Sequence, residues 1–142
     1  MSITLNIQED FTHEEEMALF NGIAFEAKRK KDLSSMRNFA VFLRDDHGTI
    51  LGGITGVTFY GCLYIDQLFV QEALRGQGFG KKLMLAAEKL GQERGCTFAT
   101  LNTMDFEAPA FYQKLGYEIE FERQGFEENT TMYFLRNKLL LF

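Results

Sequence analysis

The stretch Leu74-Arg75-Gly76-Gln77-Gly78-Phe79-Gly80-Lys81-Lys82 places three alternating glycines between an apolar, β-rich run (Leu63 to Val70) and a helical pattern (Phe79 to Leu90). A strand that breaks into such a turn and restarts as a helix forms an anion cradle. Backbone N–H groups converge in the turn, and the helix N-terminus adds the positive end of its dipole. Two lysines stand in the first helical turn, where the dipole disfavours cations; a bound anion would account for them. The loop therefore predicts a phosphate-bearing ligand.

Its spacing excludes two common phosphate motifs. A Walker A loop needs Gly at 75 and Ser or Thr at 82, where Arg75 and Lys82 stand. The dinucleotide pattern Gly-x-Gly-x-x-Gly fails as well, because counting from Gly76 meets Lys81 and counting from Gly78 meets Leu83. The pattern that fits is Arg-x-x-Gly-x-Gly, on Arg75, Gly78 and Gly80.

Outward from the loop, residues 2–8 alternate and read as a first strand. Thr12 and Glu15 form a capping-box pattern, after which Met17, Phe20, Ile23, Ala24 and Ala27 share one helical face. The basic run from Lys28 to Lys31 reads as a solvated helix end suited to the dipole. Residues 37–44 and 49–60 read as strands joined by a turn at Asp45-Asp46-His47-Gly48, with His47 on the surface. Gly52, Gly53 and Gly56 inside the second strand predict a bulge or a close backbone approach.

A strand at 62–70 precedes the loop, and the helix after it ends at Gly95. A strand at 96–103, a short helix at about 107–115 with Pro109 in its first turn, and strands at 117–123 and 130–138 complete the chain. The order is β-α-β-β-β-α-β-α-β-β. The crossover from 62–70 through the helix to 96–103 requires parallel strands with a right-handed connection. The expectation is a single α+β domain over 1–142, with a mixed, mostly antiparallel twisted sheet flanked by helices around one parallel β-α-β unit.

The 142 residues suffice for one domain that buries roughly 70% of its unfolded surface. Fifteen basic against 20 acidic residues give a formal charge of −5, which disfavours sequence-independent nucleic-acid binding and suits a cationic amine partner. Cys62 and Cys96, the only cysteines, form no metal-ligand spacing, so they are expected to be buried reduced thiols and no metal is expected. With no signal-peptide pattern and no apolar run of ~18 residues, the expected location is cytoplasmic, away from membranes. The apolar end, Leu139 to Phe142, points either to a covered surface in a homodimer or to a buried strand end.

A second motif follows 31 residues after Gly80: Phe111-Tyr112-Gln113-Lys114-Leu115-Gly116-Tyr117. With the Arg75/Gly78/Gly80 loop and the element order, it resembles the GNAT superfamily of N-acetyltransferases across essentially the whole chain. By this resemblance Arg75, Gly76, Gln77, Gly78, Phe79, Gly80 and Lys81 hold the pyrophosphate of acetyl-CoA. Backbone groups of Leu68, Phe69 and Val70 align the thioester and the pantetheine arm, where an N–H can stabilise a developing oxyanion. Asn102 would contact the same arm. Tyr112 would act as general acid: a thiol has a pKa near about 8.5 and a tyrosine near about 10, so the proton passes at modest cost.

Asp66 is the one carboxylate in the apolar run 62–70, sharing by alternation a face with Tyr64 and Leu68. It either receives the proton of a substrate ammonium or binds that ammonium, unless it simply faces solvent. Asp105 stands where many relatives carry Asn, and is expected to cap the following helix. The activity implied is direct transfer of an acetyl group to a primary amine in a ternary complex. A non-catalytic acyl-CoA sensor, a protein or peptide N-acetyltransferase and a nucleotide-binding protein are the alternatives.

Overall fold

The computed structural model describes residues 1–139 and divides into two compact units, Met1–Ser35 and Met36 onward, each taken by itself. In the first, helix α1 (His13–Lys30) starts on the expected capping box. The Glu15 N–H donates to Thr12 Oγ1 (3.1 Å) and the Thr12 N–H donates to Glu15 Oε1 (2.9 Å). The Thr12 N–H and then the Gln8 amide hold the Glu15 carboxyl below its ordinary pKa. The strand expected at 2–8 does not form; Ile3, Leu5 and Ile7 are exposed. Alternation alone gives a chain two faces, but a strand exists only as part of a hydrogen-bonded ladder.

The second unit contains strands β1 (Arg37–Arg44), β2 (Ile50–Phe59) and β3 (Cys62–Val70), helix α2 (Phe79–Glu93), strand β4 (Phe98–Met104), helix α3 (Pro109–Lys114) and strands β5 (Glu118–Phe126) and β6 (Thr130–Lys138). They build one six-stranded sheet in the order β1-β2-β3-β4-β6-β5. Its pairs are antiparallel except β3–β4, which is parallel as the crossover requires. The α+β expectation therefore holds.

Helix α2 buries Leu83, Met84, Ala87 and Gly91. Leu83, Met84 and Ala87 join Ile54, Leu63, Ile65, Ala99, Leu101, Tyr117 and Leu135 in one core. Each buried Leu, Ile or Met side chain among them contributes about 1.5–3 kcal/mol. Beyond the helix, Arg94 Nη1 donates to the Arg37 carbonyl (3.1 Å) and to Thr58 Oγ1 (3.2 Å), tying α2 to the first two strands. Cys62 and Cys96 are free, buried thiols, and burial pushes both pKa values up. Leu139 lies in the core, 5% exposed; residues 140–142 of the apolar end lie outside the described residues.

Two irregularities shape the sheet around the loop. Thr55 pairs with Gln67 and Gly56 with Ile65, so Asp66 is the extra residue of a β-bulge. A Cβ on Gly56 would overlap the Tyr64 carbonyl oxygen and come within 2.8 Å of the Phe39 ring, so only glycine fits there. The second irregularity is the short β3–β4 ladder. It comprises Cys62–Phe98, Leu63–Ala99 and Tyr64–Thr100 and extends no further. Beyond Tyr64, β3 pairs with β2 and β4 with β6, leaving a notch between β3 and β4.

The β5–β6 connection holds Glu128 (φ 53°) and Asn129 (φ 56°) in the left-handed region. Removing the Glu128 Cβ relieves steric cost that exceeds the added entropy of glycine by a small margin. Glu128→Gly is expected to raise stability by roughly 0.5 kcal/mol, read as a higher denaturation midpoint at unchanged m-value.

Candidate active site

The glycine loop links the end of β3 to the start of α2, in the strand–turn–helix order read from the sequence. Gly76 (φ 77°) and Gly78 (φ 84°) are left-handed, and Gly78 is the N-cap of α2. Among the described residues no side chain caps this helix, so the N–H groups of its first turn have no side-chain acceptor. Such a terminus accommodates an anion. Arg75 steadies the approach: its Nε donates to the Val70 carbonyl (2.9 Å), and its guanidinium lies 5.8 Å from the Phe69 ring centroid.

A cleft of about 400 Å³ lies between this loop, the end of β3 and α3. Of the residues expected at the site, it is lined by Leu68, Val70, Arg75, Gly76, Gly78, Phe79, Gly80, Lys81 and Tyr112. Leu74, Ala108 and Phe111 complete the lining. Phe111 was not among the residues expected at the site. It packs against the core and also walls the cleft, where a Cβ on Gly80 would stand 3.2 Å from its ring. The signal for this second role was its position beside Tyr112 in a helix too short to turn one face wholly inward.

Tyr112 is half-buried, with the Phe111 ring edge-on at 5.1 Å and the Tyr117 ring at 6.2 Å. Burial, and then the Glu107 carboxylate, raise its pKa above the ordinary tyrosine value. The phenol thus stays protonated through neutral pH. Among the described residues no group is hydrogen-bonded to its hydroxyl, which leaves the proton available for donation.

The remaining candidates lie elsewhere. Phe69 and Gln77 are exposed and off the cleft lining; the Gln77 side chain donates to the Ala73 carbonyl (3.3 Å). Asn102 is exposed on β4 between buried Leu101 and Thr103, on the opposite sheet face from the core, so its side chain does not line the cleft. Asp66 is exposed at the bulge, and its charge raises the Tyr64 pKa, after burial.

The bulge also overturns the shared face assigned to Tyr64, Asp66 and Leu68. Leu63 and Ile65 point into the core before it, whereas Leu68 and Val70 pack there after it, because one extra residue inverts the alternation. Asp105 does not cap α3, whose N-cap is Ala108. Its carboxylate instead accepts the Thr131 N–H (3.1 Å), fastening the loop after β4 to β6.

Among the described residues no group of His, Cys, Asp and Glu side chains is arranged to hold a metal ion, and no helix is long and apolar enough to cross a membrane.

Known proteins resemble this chain in sequence and in fold. An acetyltransferase of Agrobacterium fabrum, Atu2258, is 39% identical over 84 residues, 59% of this chain and 61% of that protein. The match thus spans less than two thirds of that relative's length. The blasticidin-S acetyltransferase of Streptomyces morookaense is 31% identical over 102 residues, 71% of this chain and 75% of that one. A crystal structure of a candidate acetyltransferase from Agrobacterium tumefaciens superposes with a TM-score of 0.83 at 27% identity, covering 96% of this chain and 99% of that one. The sequence model of the acetyltransferase (GNAT) family matches residues 5–117, taking in the glycine loop, the cleft and the segment that carries Tyr112. With motif, sheet and cleft in agreement, the chain belongs to the GNAT family of acetyltransferases.

Proposed function

We propose that the whole chain acts as one acetyl-CoA-dependent N-acetyltransferase domain that transfers an acetyl group directly to a primary amine of a small molecule in a ternary complex. The observation that carries this reading is the convergence of an uncapped helix N-terminus and a protonated, half-buried tyrosine on one cleft. The loop N–H groups, with Arg75 and Lys81, would hold the pyrophosphate. The stretch of β3 beyond Tyr64, unpaired on its β4 side, offers backbone groups to the pantetheine arm and the thioester oxygen. Acetyl-CoA supplies the activated acetyl group. Tyr112 gives its proton to the departing thiolate, and Asp66, exposed at the bulge, holds the ammonium or takes its proton.

A small cationic acceptor is supported by the formal charge of −5 and by the relative that is named for acetylating blasticidin S. Thermal unfolding in the presence of acetyl-CoA, ATP or NAD tests the donor. At a concentration 100 times its Kd, acetyl-CoA should stabilise the fold by about 2.7 kcal/mol and raise Tm by several degrees. Stabilisation by ATP alone would sink the proposal. Thiol release measured over a panel of amines that includes blasticidin S tests the transfer. Tight acetyl-CoA binding with no amine turned over would favour the acyl-CoA sensor.

A further inference from the structure

Tyr117 is 2% exposed, yet its hydroxyl is not left without a partner: it donates to Glu88 Oε2 at 2.7 Å. Glu88 belongs to α2, the helix whose first turn faces the cleft, and it is itself partly buried. A carboxylate on that interior face is costly unless it accepts a strong hydrogen bond. Tyr117 stands just past α3. Its N–H donates to the Tyr112 carbonyl (3.1 Å) and its ring lies edge-on to the Tyr112 ring.

The same helix touches α3 at a second place, where the absent side chain of Gly80 admits the Phe111 ring. Gly80 and Glu88 are eight residues apart on one helix, ~12 Å of rise. The segment carrying Tyr112 is therefore held at two points along α2, one on each side of Tyr112.

We infer that Glu88 is a positioning residue: through the Tyr117 hydroxyl it braces the segment that carries Tyr112 against the cofactor helix, fixing where the Tyr112 hydroxyl points in the cleft. This rests on Tyr112 being the acid. It adds that the helix meeting the phosphates and the residue giving the proton move as one body, so that donor and acid keep register. Burial raises the pKa of Glu88, opposed by the Tyr117 hydrogen bond. The bond favours the ionised acceptor, and a neutral amide oxygen at the same place can still accept it.

The test uses the full chain with ¹³C at tyrosine Cζ, the Tyr112 signal being assigned by its disappearance in Tyr112→Phe. Tyr117→Phe, which keeps the buried ring, and Glu88→Ala are expected to shift or broaden the Tyr112 signal. Glu88→Gln, which still accepts the Tyr117 hydroxyl, should leave it in place. With acetyl-CoA and blasticidin S, or the amine turned over fastest in the panel, Tyr117→Phe should lower kcat about tenfold at unchanged KM for acetyl-CoA. In a Tyr112→Phe background the same change should cost nothing further.

A Tyr112 signal unmoved by both Tyr117→Phe and Glu88→Ala overturns the brace. So does a kcat loss of full size in the absence of the Tyr112 hydroxyl. Should Tyr112→Phe itself retain wild-type kcat, the acid assignment falls, and the NMR comparison still decides whether Glu88 positions the segment.

Discussion

Tyr112→Phe is expected to lower kcat by about 10²–10³-fold while leaving KM for acetyl-CoA within about twofold, because only proton donation to the departing thiolate is lost. The fold should be indifferent to the change. The ring keeps its contacts with Phe111 and Tyr117, and no hydrogen bond among the described residues depends on the hydroxyl. Unfolding measured beside the kinetics should give matching midpoints.

The pH dependence follows from the sign of the shift. A general acid works in its protonated form, which is populated below its pKa, and burial and the Glu107 charge raise that pKa. The wild-type rate should therefore show no alkaline decline from Tyr112 below pH of about 10. Full kcat in Tyr112→Phe would mean that water or another group protonates the thiolate.

Gly56→Ala should destabilise the protein by about 3 kcal/mol, the upper end for inserted methyl groups, and lower Tm by roughly 10 °C. The added carbon would meet the Tyr64 carbonyl oxygen in the neighbouring strand. A flexible side chain could swing aside, but a laddered carbonyl cannot. The loss would be a large share of the about 5–15 kcal/mol typical of a domain. By contrast, Gly22→Ala, on α1 with nothing within 4 Å of the new Cβ, should stabilise slightly. If Gly56→Ala folds with an unchanged Tm, the bulge at Asp66 is not as rigid as its pairing implies. Because Gly56 sits opposite Ile65 at that bulge, the surviving folded fraction should also bind acetyl-CoA more weakly.

Much of the molecule was legible residue by residue. The capping box at Thr12 and Glu15, the Asp45–Gly48 turn, the glycine turn that opens α2 and Pro109 opening α3 are all local features, and each appears where the chemistry of those residues calls for it. The parallel β3–β4 pair was legible too, since a helix between two strands of one sheet leaves little choice of direction.

What escaped involves a second segment. Residues 2–8 have the pattern of a strand and no ladder. Asp105 has the chemistry of a cap but spends its carboxylate on Thr131, 26 positions away in sequence. Asn102 lies on the expected strand, and the sheet turns its side chain to the face opposite the core.

The glycine loop illustrates the division. Residues 74 to 82 carry in their own covalent chemistry the reversal of the chain, the left-handed φ angles and the uncapped helix start, because torsional freedom and helix polarity are local properties. That this loop faces Tyr112 across a cleft, that Asp66 is the extra residue in a bulge, and that Glu88 reaches the Tyr117 hydroxyl were settled by tertiary packing. A bulge is a mismatch between two strands and a cleft is the space between elements, so neither is a property of any single segment.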